Sequence, residues 1–171
     1  DLMVAFYLIP TKLPFLLREV GISSPMLAGA AAAISNLTMA LAALAYPLVQ
    51  SRLKPFATFA GIFAMTGLGF AIIASASSYG MVLLGSAIAG AGYGWLFPIN
   101  NALVMERTPP SMRGRASGLL TTSIFLGQFL SPLVSGPMVD RWDVHTAYVV
   151  FAIACAAIGM GYLAAWALGR R

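Results

Sequence analysis

Long apolar runs, separated only by short polar or Gly/Pro segments, constrain this chain more than any other feature. Six such runs cover about residues 1–18, 25–49, 56–74, 81–105, 116–139 and 146–168. A membrane-spanning helix needs roughly 20 apolar residues, whereas a transmembrane β-strand alternates apolar and polar residues. The runs are long and do not alternate. The sequence therefore predicts an all-α membrane protein with six transmembrane helices, which we call spans one to six.

Composition supports this interpretation and excludes several classes of protein. Of the 171 residues, 60% are hydrophobic and 9% are charged, and the mean hydropathy is +0.86. An ordinary soluble domain has about 25% charged residues. A soluble enzyme, a nucleic-acid-binding protein and a disordered tail are therefore excluded. Six spans also leave no room for a second domain, so residues 1–171 are expected to form one transmembrane domain.

Span one is the weakest of the six. It is short and is interrupted by Pro10, Lys12 and Pro14. The chain begins at Asp1 inside an apolar stretch, without the charged-then-apolar leader of a secreted protein. We therefore expect a fragment whose first helix is truncated.

The positions of the cations predict the orientation in the bilayer. Seven lie on one side of the predicted spans, and the other side has only Arg18 and Arg141, with Lys12 near the end of span one. The seven are Arg52, Lys54, Arg107, Arg113, Arg115, Arg170 and Arg171. Because cytoplasmic loops collect Lys and Arg, both ends of the chain are expected in the cytoplasm. Because these cations are explained by the orientation in the bilayer, no exposed basic face is left to bind nucleic acid.

Polar side chains within the spans are the first indication of function. Spans three and six have no amide and no charge, which is typical of helices that face lipid. Polar groups in the other four spans need partners or water, because hydrocarbon offers neither. At helical spacing, the stripes of aromatic and amide residues on spans four and five suit the wall of a substrate cavity. The stripe on span two, of small residues with the one amide Asn36, instead favours close helix packing, and packing around Gly90 and Gly94 is the alternative for span four. The candidate cavity residues are Tyr7, Thr11, Lys12, Asn36, Tyr93, Phe97, Asn100, Asn101 and Gln128.

The charged residues leave alternatives open. Lys12 either binds an anionic group or extends to the interface near Arg18. A second set is either a cytoplasmic gate or solvated loop charge: Arg52, Lys54, Glu106, Arg107, Arg113 and Arg115. His145 stands alone at the entrance to span six. No group of residues has the spacing of metal ligands, and we expect no cofactor.

Two motifs carry a resemblance to a known family. The loop from Glu106 to Leu119 reads E-R-T-P-P-S-M-R-G-R-A-S-G-L and continues into T-T-S-I-F-L-G-Q-F-L-S-P, and span one contains Y-L-I-P-T-K-L-P-F-L-L. Together they resemble the C-terminal half of a major facilitator superfamily transporter, most of all the bacterial drug:proton antiporter and sugar-efflux branch. The resemblance covers the whole chain, as helices seven to twelve of twelve. One departure is Gln50, where the family often has an acid that takes part in a gating salt bridge.

The resemblance implies cavity-lining roles for spans one and four, contacts with the missing N-terminal half for spans two and five, and lipid contact for spans three and six. The predicted function is half of a secondary active transporter in the bacterial inner membrane, exporting a small amphiphilic molecule or sugar with proton coupling. A self-contained six-helix protein acting as a homodimeric carrier or pore is the alternative. An intramembrane serine protease is disfavoured, because Ser117-Gly118 and Ser135-Gly136 lack the preceding glycine of its nucleophile motif, so we predict no enzyme.

Overall fold

The computed structural model describes residues 2–168, which form eight α-helices, one short 3₁₀ turn at Pro110–Met112 and no strand. Five stretches within this range are long and apolar enough to cross a membrane, and this confirms the all-α membrane fold. Span one is shorter and is divided between two helices. The helices are α1 (Leu2–Phe6), α2 (Leu8–Glu19), α3 (Pro25–Gln50), α4 (Pro55–Ala74), α5 (Tyr79–Gly94), α6 (Leu96–Arg107), α7 (Arg113–Arg141) and α8 (Val144–Leu168).

Local sequence signals set several helix ends. Pro25 and Pro55 begin α3 and α4, where a missing N–H costs nothing and the fixed φ suits the first turn. Just after α2 ends at Glu19, Gly21 has a φ of +82°, which favours glycine. There the Ile22 N–H donates to the Leu17 carbonyl at 2.7 Å and the Gly21 N–H to the Arg18 carbonyl at 3.0 Å. This pair of bonds satisfies the last carbonyls of α2 and turns the chain towards α3.

Helix α4 lies inside the bundle, contrary to the expectation that span three is a lipid-facing helix. It packs against both α5 and α8, and half of its apolar stretch is buried. Glycines allow this close approach: a Cβ at Gly69 would lie 2.6 Å from the Gly85 carbonyl oxygen. The absence of amides and charges in span three therefore reflects a protein interior as much as a lipid contact.

Helices α3 and α7 are the least buried of the five long stretches, with 11% of each apolar stretch inside the molecule. α3 packs mainly against α5, through a face that includes Ala31 and Ser35. Its opposite face carries Ala33, Asn36 and Ala40, and it is exposed. The stripe of small residues and one amide predicted on span two therefore does not pack against the other described helices.

Candidate functional site

Spans one and four are both interrupted three residues before a proline. α1 ends at Phe6 and α2 begins at Leu8, with Pro10 following; α5 ends at Gly94 and α6 begins at Leu96, with Pro98 following. A proline lacks an N–H and its ring clashes with the carbonyl four residues earlier. Those carbonyls belong to Phe6 and Gly94, the last residues of α1 and α5. The helix of span four is therefore interrupted between its glycine run and Pro98, and span one has an equivalent interruption.

The two interrupted spans meet at an aromatic contact. The ring of Phe6 packs edge-on against that of Tyr93, with centroids 4.7 Å apart and planes at 77°. Tyr93 has no exposed surface. Its assignment to the substrate cavity is therefore corrected: within this chain it is a core residue. Gly90 and Gly94, on either side of Tyr93, allow α3 to approach α5 closely.

Later helices hold the carbonyls around the interruption in span one. The buried Ser131 hydroxyl, on α7, donates to the Val4 carbonyl at 2.7 Å. The buried Tyr148 hydroxyl, on α8, donates to the Leu8 carbonyl at 3.2 Å. Thr11 Oγ1 donates to the Tyr7 carbonyl, one turn earlier on the same span. The interruption is thus fixed by side chains from three helices.

A groove runs between α2 and α3. It consists of two adjoining cavities of about 220 and 360 Å³, both lined by Ile9, Pro10 and Ala32. Tyr7 and Asn36 line the smaller one, which brings together two of the predicted cavity residues. The larger cavity is lined by Ile9, Pro10, Leu13, Pro14, Leu17, Arg18, Ile22, Ser23, Ser24, Pro25, Ala28, Gly29 and Ala32.

A polar side chain beside this groove has an atom that can hydrogen-bond to a ligand. Asn36 Nδ2 donates to the Ala32 carbonyl at 3.1 Å, which leaves the amide oxygen to accept a hydrogen bond from elsewhere. Lys12 lies outside the groove lining, with its Nζ 5.7 Å from the ring centroid of the exposed Phe15. A cation over an aromatic face is a weakly stabilising contact. The anion site and the interfacial position both stay predictions for Lys12.

A second pocket, of about 310 Å³, lies elsewhere in the bundle and contains Phe97 and Asn100. Three of its other lining residues, Phe59, Phe63 and Tyr162, come from the spans expected to face lipid. The sequence analysis missed these residues, although the spacing of Phe56, Phe59 and Phe63 along one face of span three was a usable signal. The lining consists of Met3, Phe59, Phe63, Leu96, Phe97, Asn100, Leu120, Ser123, Ile124 and Tyr162. The predicted cavity residues are thus divided between two sites.

The remaining predicted residues line neither site. Asn101 is exposed and donates to the Phe97 carbonyl at 3.0 Å. Gln128 is half-buried on α7. All six candidate gate charges are exposed, and none forms an ion pair with another residue in the range 2–168. Arg113 Nε donates to the Thr108 carbonyl at 3.3 Å, and this contact orders the loop before α7. Arg170 and Arg171, which the orientation argument used, lie outside the described residues.

His145 does not stand alone, as the sequence suggested. Its Nδ1 lies 2.6 Å from the Ala74 carbonyl oxygen, and its Nε2 lies 3.3 Å from Glu19 Oε2. A carbonyl oxygen only accepts, so Nδ1 carries a proton. Next to it, the Thr146 N–H donates to Asp143 at the start of α8, and this bond lowers the pKa of the Asp143 carboxyl. His145 therefore joins the end of α2, the end of α4 and the start of α8.

Replacing His145 with phenylalanine is expected to lower the free energy of unfolding by about 1 kcal/mol, the usual value of one hydrogen bond. The Glu19 contact adds little, because both side chains are about a third to a half exposed. Thermal unfolding of the detergent-solubilised protein measures the change. Glu19→Ala is the control and is expected to have a smaller effect. Equal losses in the two variants would show that the ion pair, not the bond to Ala74, joins the helices.

Comparison with known proteins gives a consistent result. The family model described as Major Facilitator Superfamily matches residues 2–171. The multidrug efflux pump Tap of Mycobacterium tuberculosis is 25% identical over 118 residues, which is 69% of this chain and 28% of the pump. An uncharacterized MFS-type transporter of Salmonella typhimurium is 31% identical over 93 residues, covering 54% of this chain and 24% of that protein.

A third relative is multidrug resistance protein 3 of Bacillus subtilis, 29% identical over 97 residues, covering 57% of this chain and 19% of that protein. The matched segments thus span less than a third of these relatives. No solved structure matches the chain at the significance applied to these relatives. The family match over almost the whole chain and the apolar helices agree with each other. The chain therefore belongs to the Major Facilitator Superfamily and is a multi-pass membrane protein.

Proposed function

We propose that this chain is the C-terminal six-helix half of a secondary active transporter that exports small amphiphilic molecules in exchange for protons. In this proposal a six-helix N-terminal half covers the exposed faces of α3 and α7, and the substrate binds between the halves. The protein resides in the bacterial inner membrane with both ends in the cytoplasm, as the distribution of cations suggests. Two relatives are named as multidrug proteins, which supports an amphiphilic substrate over a sugar.

One observation carries the proposal: Asn36 lies on the exposed face of α3 and at the edge of the groove between spans one and two. An amide that faced lipid at mid-span would be costly. A substrate cavity or a second protein surface removes that cost. The half-buried Tyr7 beside it adds an aromatic wall, which suits an amphiphilic substrate that needs one hydrogen bond for orientation.

Proton coupling requires a titratable group that is exposed to each side in turn. Four of the five acids of this chain, Glu19, Glu106, Asp140 and Asp143, lie at or beyond the ends of the spans, and Asp1 lies outside the described residues. We therefore assign the coupling carboxylate to the N-terminal half. Alternating access follows from rocking of the two halves about the interrupted spans one and four.

Asn36→Ala is expected to reduce ethidium efflux about tenfold, the effect of losing roughly one hydrogen bond to the substrate. Protein yield and thermal stability stay unchanged, because the Asn36 side chain donates only to its own helix. The measurement is ethidium transport into everted membrane vesicles that contain the intact protein as its gene encodes it. A protonophore added to the same vesicles stops this transport if it depends on the proton gradient.

Ser75→Ala is the matched control for this experiment. Ser75 is also an exposed polar side chain bonded to its own helix, at 3.0 Å to the Ala71 carbonyl; it lies at the end of α4 and lines neither site. Normal efflux by the Asn36 variant would remove the groove from the substrate path. A collapse in yield would show that Asn36 packs against another protein surface. The homodimeric carrier makes a different prediction. It would be favoured if the intact protein were no longer than this chain and if two differently tagged copies of it associated with each other.

A further inference from the structure

The second pocket differs in chemistry from the groove between spans one and two. Its side walls are the rings of Phe59, Phe63, Phe97 and Tyr162, and Met3 and Asn100 also line it. No charged residue lines this pocket, whereas Arg18 lines the groove. Burying an unpaired ion there would therefore carry a large desolvation cost, and a neutral occupant would carry none.

The aromatic rings are arranged in layers. The Tyr162 ring on α8 is nearly parallel to two rings of α4, at 22° to Phe59 and 17° to Phe63, with centroid distances of 5.2 and 5.7 Å. Near-parallel rings at such distances have the offset-stacked geometry that aromatic groups prefer. A planar aromatic molecule can extend this stack with the same geometry, whereas a flexible aliphatic chain gains only apolar contact.

Asn100 gives the pocket a hydrogen-bonding group. One proton of its Nδ2 is used by the Leu96 carbonyl at 2.9 Å, which leaves the second amide proton and the amide oxygen for a ligand. Ser123, on the opposite wall, donates its hydroxyl to the Leu119 carbonyl at 2.9 Å, so that its oxygen can accept but not donate. A ligand with a carbonyl oxygen therefore matches Asn100.

The pocket is also separated from the groove. Met3 lines the pocket, while Phe6 and Tyr7, one turn later on span one, line the groove. Phe6 lies against the fully buried Tyr93, so the core fills the space beside it. A volume of about 310 Å³ lies at the small end of the range for ligand sites. It suits a molecule of two rings rather than a large drug.

We propose that this aromatic pocket, formed by α1, α4, α6, α7 and α8, is a binding site for neutral molecules of about two aromatic rings that carry a carbonyl oxygen. The site is distinct from the groove at Tyr7 and Asn36. Its assignment does not depend on the direction of transport or on the coupling ion.

Benzophenone tests the proposal directly, because it is a neutral two-ring ketone that, on irradiation, inserts preferentially into C–H bonds next to the sulfur of methionine. The intact protein in lipid nanodiscs is irradiated with increasing benzophenone, and the adducts are located by mass spectrometry. We expect the adduct at Met3 to saturate with concentration. Met160, 64% exposed on α8, serves as the background, and its adduct is expected to rise linearly with the benzophenone dissolved in the lipid.

Tyr162→Ala removes the ring that stacks on Phe59 and Phe63, and it is expected to weaken labelling at Met3 about fivefold. Tyr162→Phe keeps the ring, and its labelling at Met3 is expected to equal that of the parent protein.

Leu120→Phe acts in the opposite way, by filling the pocket from α7, and it is expected to abolish the saturable adduct. It also keeps the test decisive if Tyr162→Ala fails to fold. An adduct at Met3 that rises linearly like that at Met160, or is the same in every folded variant, would overturn the proposal. Because the readout is an adduct and not transport, failure here leaves the test at Asn36 unaffected.

Discussion

Gly90→Leu is expected to abolish the folded protein. A Cβ at Gly90 would overlap the Ser35 carbonyl oxygen and Thr38 Oγ1, and one at Gly94 would overlap the Met39 carbonyl oxygen. Backbone atoms cannot rotate away as a side chain does, so α3 would have to separate from α5. Even one added methylene in a filled core costs about 1–3 kcal/mol, and leucine adds several carbons. The yield of monodisperse protein after solubilisation measures the loss.

Gly161→Leu is the matched control, because it makes the same change on a helix surface. Gly161 lies on α8, and a Cβ there has nothing within 4 Å. Leucine is the better helix former by roughly 1 kcal/mol, so this variant is expected to retain or slightly raise the thermal stability. If the two leucine variants are equally stable, α3 does not approach α5 closely at Gly90.

Pro98→Ala is expected to raise the thermal stability and to lower transport. Because the two effects have opposite signs, a loss of transport in this variant cannot be explained by a loss of folded protein. Alanine restores an N–H that can donate to the Gly94 carbonyl, so that α5 and α6 join through Trp95. Alanine is better than proline in a helix interior by about 3 kcal/mol. Loss of the fixed interruption removes a place where span four bends during rocking of the halves. We expect a higher midpoint of thermal unfolding and ethidium efflux reduced at least tenfold.

Pro132→Ala distinguishes this effect from a general effect of proline removal. Pro132 lies inside α7, which continues as one helix through it. The same substitution there is expected to leave efflux close to that of the parent. Normal efflux in Pro98→Ala would show that the interruption in span four is a packing feature with no part in transport.

The sequence predicted the helical elements well for identifiable reasons. Apolar runs bounded by Pro25, Pro55 and short polar loops give spans whose ends lie within about three residues of the observed helices. The family resemblance in the loop from Glu106 to Leu119 also indicated the superfamily. Both signals are local, and local signals are what a single sequence carries most reliably.

The direction in which each helix face points could not be predicted in the same way. Span two has small residues on opposite faces, Ala31 and Ser35 on one and Ala33 and Ala40 on the other, so a helical wheel does not decide which one packs. Tyr93 shares a sector with Phe97, yet the helix interruption and the Phe6 ring separate their surroundings. Both outcomes depend on contacts between distant segments, which periodicity along one helix does not report.

The hydroxyl groups that donate hydrogen bonds to span one are synthesised much later than span one itself. The Val4 carbonyl receives its bond from a residue 127 positions later, and the Leu8 carbonyl from one 140 positions later. At about 5–20 residues per second of translation, span one waits roughly 6–28 s before Ser131 and Tyr148 have been synthesised. Until then the insertion machinery or the lipid headgroups must provide hydrogen bonds for the carbonyls at the interruption in span one. Its final shape therefore forms late, although span one is synthesised before the other described helices.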